Sequence, residues 1–225
     1  MKKFYKMLYG YEPYTDFDAD NLPVEIEGWN SDSPVFSELI RKVKPQRIIE
    51  IGTWKGASAI NMAQLARKYN IDTEIICVDT FLGWAGADMQ TKNGFPILYW
   101  QFLTNVIKSG LSDVIIPFPQ TSELAATFCR NNNLQADMIY IDGSHYFNAV
   151  FDDLVRWWLV VKIGGYLFGD DYTRSDVNRA VTLFVEVNQL ELEVFDEKWV
   201  IAKSDNVIPV DAHDFLEKHK DKTRL

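Results

Sequence analysis

The chain has 225 residues, 47% of them hydrophobic, with 23 Lys+Arg against 32 Asp+Glu and a formal net charge of −9. That length and apolar content suit one α/β domain with a substantial core, and the acidic balance disfavours nucleic acid and anionic membrane surfaces as partners. No run approaches the ~20 apolar residues of a membrane helix, and the opening MKKFYKMLYGYEPY has no sustained apolar stretch, so no membrane association and a cytoplasmic location are expected.

Residues 1–33, aromatic, acidic and broken by Pro13 and Pro23, are expected to form an irregular arm or lid. Asp16, Asp18 and Asp20, with Glu27 in the twelfth place, echo a calcium loop. Asn21 in the glycine place and Pro23 spoil the match, which leaves a solvated acidic arm. The regular domain, residues 34–205, follows, opening on a helix at Ser33-Pro34. RIIEIG (47–52) reads as a strand, then a Gly/Ala/Ser turn, then a helix with Met62, Leu65, Ala66 and Tyr69 on one face. The alternation returns with EIICVD (74–79), VIIPF (114–118), MIYIDG (138–143) and GYLFGDD (165–171).

Phe81, Trp84, Phe95, Tyr99 and Trp100 crowd the connection after the second strand, where residues 81–96 are expected to form a lid over an acceptor. Val150, Leu154, Trp157 and Val161 mark a core-facing helix stripe, with Asp152 and Arg156 spaced for an i,i+4 pair. A helix over 176–188 precedes LEVF (192–195) and WVIAKS (199–204), a hairpin by their short separation. Residues 206–225 are expected to be a charged tail with His213 and His219 on its solvated surface, and Cys77 and Cys129, lacking CxxC partners, read as buried reduced thiols. Together the elements specify a Rossmann-like, doubly wound, mostly parallel seven-stranded sheet with a C-terminal antiparallel hairpin and helices on both faces.

In such sheets ligands sit beyond the carboxyl ends of the strands. The first strand runs into Glu50-Ile51-Gly52-Thr53-Trp54-Lys55-Gly56-Ala57-Ser58, whose glycines permit a tight turn and a close backbone approach at a helix N-terminus. It is neither a GxGxxG dinucleotide loop nor a phosphate-binding loop ending in Gly-Lys-Ser/Thr. Asp79 ends the second strand, where a carboxylate can accept from both ribose hydroxyls. Asp142-Gly143-Ser144-His145 and Asp170-Asp171 bring three carboxylates to neighbouring strand ends, a donor set for a hard cation. Structural roles compete with each assignment: the glycine turn as a plain turn, Asp170-Asp171 as a helix cap, His145 as a packed or surface histidine.

EIGTWKGAS followed by CVDTF is similar to the S-adenosylmethionine-binding half of class I methyltransferases, and Glu50, Gly52, Trp54 and Ser58 fall on the matching places of catechol-type O-methyltransferases. IDGSH and GDD look like the macrocin- and mycinamicin-type sugar O-methyltransferases and the cephalosporin-hydroxylase-like proteins grouped with them. The resemblance implies that Glu50, Gly52, Thr53, Trp54 and Ser58 hold the methionine end of S-adenosylmethionine, Asp79 the ribose, and Thr121 and Ser122 the adenine. It further implies Asp142, Asp170 and Asp171 as ligands of Mg2+ or another divalent cation, with His145 as general base. The implied activity is metal-assisted O-methylation of a small-molecule hydroxyl, a sugar or glycosylated metabolite ahead of a catechol-like phenol. A metal-independent methyltransferase, a non-catalytic cofactor-binding module and a nicotinamide oxidoreductase or oxygenase are the alternatives. A homo-oligomer built on the aromatic arm is compatible with the composition.

Overall fold

From Ile48 to Ile51 the first strand is buried, as a central parallel strand shielded on both faces requires. In the computed structural model, which describes residues 3–10, 12–83 and 91–204, this strand belongs to the first of two compact units, residues 1–125 and 126–225. Trp84 and the tail carrying His213 and His219 lie outside the described residues.

The first unit contains β1 (Arg47–Ile51), β2 (Glu74–Asp79) and β5 (Ile115–Pro119), paired in parallel with β2 between the other two. Its helices are α1 (Lys3–Leu8), α2 (Pro34–Val43), α3 (Ala57–Lys68) and α4 (Leu98–Lys108), and a short hairpin joins β3 (Thr91–Lys92) to β4 (Phe95–Pro96). α5 (Ser122–Asn131) runs across the division into the second unit. There β6 (Ala136–Ile141), α6 (Phe147–Trp158), β7 (Val161–Gly169) and α7 (Ser175–Asn188) precede the antiparallel pair β8 (Glu193–Phe195) and β9 (Lys198–Ala202). The strand order is β5-β2-β1-β6-β7-β9-β8, the mostly parallel seven-stranded sheet with a C-terminal hairpin expected from the sequence. No helix among the described residues is long and apolar enough to cross a membrane.

Several boundaries differ from the sequence expectation. β6 ends at Ile141 and β7 at Gly169, so Asp142, Asp170 and Asp171 stand just past the strands. α6 stops at Trp158, and Val161, expected on its apolar stripe, instead starts β7. The reason is a four-residue turn, 157–160, closed by Val160 N–H donating to the Trp157 carbonyl, which leads the chain into the strand. The Asp152–Arg156 pair forms at 2.6 Å, and Cys77 and Cys129 are buried and outside any disulfide.

The arm is less irregular than its composition suggests. Phe4 and Tyr5 on α1 are buried, and three arm tyrosines donate to carbonyls on and beside β5: Tyr5 to Ile115 (2.9 Å), Tyr14 to Ile115 (3.1 Å) and Tyr9 to Pro117 (2.6 Å). β5 is a terminal strand in the sheet order, so these hydroxyls occupy acceptors that an edge strand would otherwise offer to another chain. The acidic run closes a one-turn helix, with Asp18 Oδ1 accepting from Asp20 N–H at 3.0 Å, while Asp20 pairs with Lys108.

Candidate functional site

In the first unit the β1–α3 turn draws three polar side chains around Glu50. Thr53 Oγ1 donates to Glu50 Oε2 at 2.8 Å, Ser58 Oγ donates to Oε1, and Cys77 Sγ approaches Oε2 at 3.6 Å. Glu50 has no exposed surface, and burial pushes its carboxyl up to about 7 against the pull of these donors. Gly56 is in the left-handed region at φ +89°, and a Cβ there would stand 3.0 Å from the Phe102 ring, so only glycine fits this step into the helix.

The same turn is tied to the end of β2. Asp79 Oδ2 accepts from Trp54 N–H at 2.9 Å and Oδ1 from Phe81 N–H at 2.7 Å. Burial raises the Asp79 carboxyl, partly opposed by these backbone donors. Trp54 (φ 46°) and Phe81 (φ 54°) both take left-handed conformations unusual for aromatic residues. Strain of that kind persists where the surroundings fix it and is concentrated at ligand sites. Thr121 and Ser122 lie where β5 gives way to α5, with Thr121 Oγ1 accepting weakly from Leu124 N–H at 3.4 Å, a capping position. Thus Glu50, Gly52, Thr53, Trp54, Ser58 and Asp79 share one connected turn, and Thr121 and Ser122 stand at the step from β5 into α5.

In the second unit the polar groups past β6 and β7 form a different set from the expected trio of carboxylates. Ligating atoms of Asp142, His145 and Asp171 all lie within 4.8 Å of one another. His145 Nε2 is 2.7 Å from Asp171 Oδ2, and Arg174 Nε donates to Asp171 Oδ1 at 2.9 Å. Burial works to raise the Asp171 carboxyl, but His145 and Arg174 outweigh it and hold the group below the usual carboxylate range. Asp171 also sits at φ 60°.

Asp170 is committed elsewhere. Its Oδ2 is 2.5 Å from Lys198 Nζ, with both side chains almost fully buried. Lys198 also donates to the Tyr140 hydroxyl at 2.9 Å, and Tyr140 donates to Asp142 Oδ2 at 3.1 Å. The pairing of Gly169 with Trp199 sets this arrangement, because one step further along the antiparallel strands Asp170 meets Lys198. Trp199 fixes that register: its Nε1 donates to the Asp170 carbonyl at 3.1 Å, and its ring covers Gly169 so closely that a Cβ would stand 2.3 Å from it.

Lys198 and Tyr140 were not singled out in the sequence. The available signal was a lysine immediately before the apolar run WVIA, opposite the acidic end of GYLFGDD. Lys55 was also passed over. Its Nζ is 3.0 Å from both Glu25 and Glu27 and 4.8 Å from the Trp54 ring centroid, which binds the arm to the β1–α3 turn.

A family model described as a methyltransferase domain matches residues 49–172, more than half of the chain. Comparison with curated proteins gives no match. Among solved structures, the chain is similar to an O-methyltransferase from Bacillus cereus in complex with SAH, at 14% identity over 81% of this chain and 84% of that one, TM-score 0.58. It is also similar to the O-methyltransferase TomG from Streptomyces achromogenes, involved in tomaymycin synthesis and bound to SAM, at 13% identity over 90% and 94%, TM-score 0.58. A third likeness is to the calicheamicin methyltransferase CalS11, at 15% identity over 76% and 78%, TM-score 0.58. At these identities the likeness is one of fold.

Proposed function

Since the chain belongs to the methyltransferase domain family, we propose that it is an S-adenosylmethionine-dependent O-methyltransferase acting on a hydroxyl of a small molecule, a sugar or glycosylated metabolite ahead of a catechol-like phenol. The observation that carries the proposal is the Glu50–Trp54–Asp79 turn, in which two carboxylates are fixed around a strained, glycine-bounded loop at a strand end. In this reading Glu50, Thr53 and Ser58 receive the amino-acid end of the donor, with Gly52 and Trp54 shaping the turn. Asp79 receives the ribose, its remaining lone pairs accepting from the hydroxyls, and Thr121 and Ser122 border the adenine.

An aliphatic hydroxyl is a poor nucleophile near neutral pH, so transfer needs its proton removed as oxygen attacks the sulfonium methyl and sulfur takes up the C–S electron pair. His145 is the base. With Nε2 held by Asp171 Oδ2, the nitrogen left with a lone pair is Nδ1, and the Asp171 carboxylate stabilises the imidazolium that forms. Arg174 holds Asp171 from the other side, which fixes the dyad's orientation.

The donor set also fits a divalent cation. With His145 kept for the proton, the carboxylates of Asp142 and Asp171, whose ligand atoms lie within 4.8 Å of one another, would suit a hard cation such as Mg2+ or Mn2+. Asp142 and Asp171 would hold it, and it would supply Lewis-acid activation of the hydroxyl. Asp170, placed in that set by the resemblance, is more economically read as the counter-charge of Lys198. That pairing favours a second reading, a metal-independent enzyme that relies on the His145–Asp171 dyad alone. Calorimetric titration with S-adenosylhomocysteine tests the first claim, since absence of binding would remove it. Turnover in EDTA, then with Mg2+ or Mn2+ restored, decides between the two readings.

A further inference from the structure

The arm segment running from Pro23 to Ser31 is built into the first unit. Gln101 Nε2 donates to the Pro23 carbonyl at 2.8 Å, and the buried Asn105 accepts from Glu25 N–H at 3.0 Å while donating to the Glu25 carbonyl at 2.8 Å and the Lys55 carbonyl at 2.9 Å. Asn61 Nδ2 holds the Ser31 carbonyl at 2.9 Å. Gly28 packs so closely that a Cβ there would stand 2.6 Å from Ala57 Cβ. Between this wall and the β1–α3 turn lies a cavity of about 460 Å³ lined by Ile26, Glu27, Trp29, Ser31 and Trp54.

Trp29 stacks on Trp54 with ring centroids 5.2 Å apart and planes 19° from parallel, yet stays 76% exposed. A large apolar side chain held in place and left open on a cavity wall is a contact surface awaiting a partner. Glu27 adds hydrogen-bond acceptors beside it. Lys55 bridges Glu27 and Glu25 and engages one oxygen of each, so Glu27 keeps lone pairs that can accept from a ligand's hydroxyls. A surface that covers C–H groups with indole and accepts from hydroxyls has the chemistry of a pyranose ring.

We propose that this cavity is a sugar subsite in which Trp29, backed by Trp54, carries the ring's C–H face and Glu27 accepts from a ring hydroxyl. The proposal deepens the methyltransferase reading and rests on it for the subsite's purpose. The test is saturation-transfer NMR on the full chain with methyl β-D-glucopyranoside and methyl α-L-rhamnopyranoside, with cyclohexanol and catechol as controls. Wild type and the Trp29→Ala, Trp29→Phe and Glu27→Gln variants are compared, and S-adenosylhomocysteine is titrated into each.

A pyranoside is expected to receive saturation through its ring C–H groups. The effect should fall about tenfold in Trp29→Ala, as for an aromatic anchor, remain largely intact in Trp29→Phe, and weaken in Glu27→Gln, with S-adenosylhomocysteine affinity unchanged in all three. No pyranoside signal, a signal indifferent to Trp29→Ala, or a Trp29-dependent signal from catechol alone would overturn the proposal. Loss of S-adenosylhomocysteine binding in Trp29→Ala would overturn it as well, by making the cavity part of the cofactor's site. Wild-type protein that takes a pyranoside in a Trp29-dependent way but not S-adenosylhomocysteine would support the subsite and overturn the methyltransferase reading.

Discussion

Lys198 Nζ lies 2.5 Å from Asp170 Oδ2 with both side chains almost fully buried, so the two charges depend on each other. Removing one partner of such a pair leaves an uncompensated buried charge, whereas removing both does not. Lys198→Met is therefore expected to cost about 3 to 5 kcal/mol of stability. Asp170→Leu alone should also destabilise, by leaving the Lys198 charge unpaired, and Lys198→Met combined with Asp170→Leu should recover most of the loss. Urea unfolding of the four proteins gives the coupling energy directly. Additive losses would mean that the pair is not coupled.

The His145–Asp171 dyad makes a separate prediction about turnover. His145→Ala should lower kcat by about 10²- to 10⁴-fold, the range of general-base catalysis, with affinity for S-adenosylhomocysteine preserved. Asp171→Asn should give a smaller loss of the same kind. Both are checked on whichever acceptor supports wild-type turnover. A variant that also lost cofactor affinity would show that the residue serves the fold and not the chemistry.

How much of this was legible beforehand depended on the range of the interaction. Apolar runs ending in Asp79, Asp142 and Asp170 announced the strand ends, because a buried parallel strand has to be apolar and its first exposed residue need not be. The Glu50–Ser58 contact was readable for a similar reason, since both residues belong to one strand–turn–helix step. The partner of Asp170 was not readable. It depends on the register of β7 against β9, and starting the last strand at Trp199 instead of Lys198 put the lysine just outside the expected element. The arm's placement was likewise hidden, because Gln101 and Asn105 grip its backbone, and a backbone contact leaves no trace in the arm's own composition.

The tyrosines of the arm predict a guarded edge. The single Tyr5 O–H points to the Ile115 carbonyl at 2.9 Å, with the Ser112 carbonyl at 3.2 Å beside it, and such a bond is worth about 1 kcal/mol. Tyr5→Phe should lower stability by roughly that amount without changing solution mass. Deleting residues 1–14 should instead expose β5 and promote association, seen as a concentration-dependent rise in light scattering. A truncated chain with unchanged scattering would assign edge protection to another segment.

Glu50 sets a pH dependence whose sign is fixed by its burial. Its carboxyl titrates at about 7 in the folded chain against 4.5 unexposed to that environment, so between those values the folded state holds a proton that the unfolded state has lost. Stability contributed by the neutral form is therefore fully present below about pH 4.5 and is lost as pH rises through about 7, by roughly 3 kcal/mol at most. Glu50→Gln should flatten that part of the profile, making the variant more stable than wild type at pH 8 and little different at pH 5. Denaturant unfolding at the two pH values measures the difference. If the Glu50 carboxylate receives the ammonium of the methyl donor, binding near pH 6.5 will also expel its proton. Calorimetry in buffers of different ionisation enthalpy should then detect release of a fraction of one proton in wild type and none in Glu50→Gln. Equal heats in all buffers would separate Glu50 from the ligand while leaving its burial to explain the stability profile.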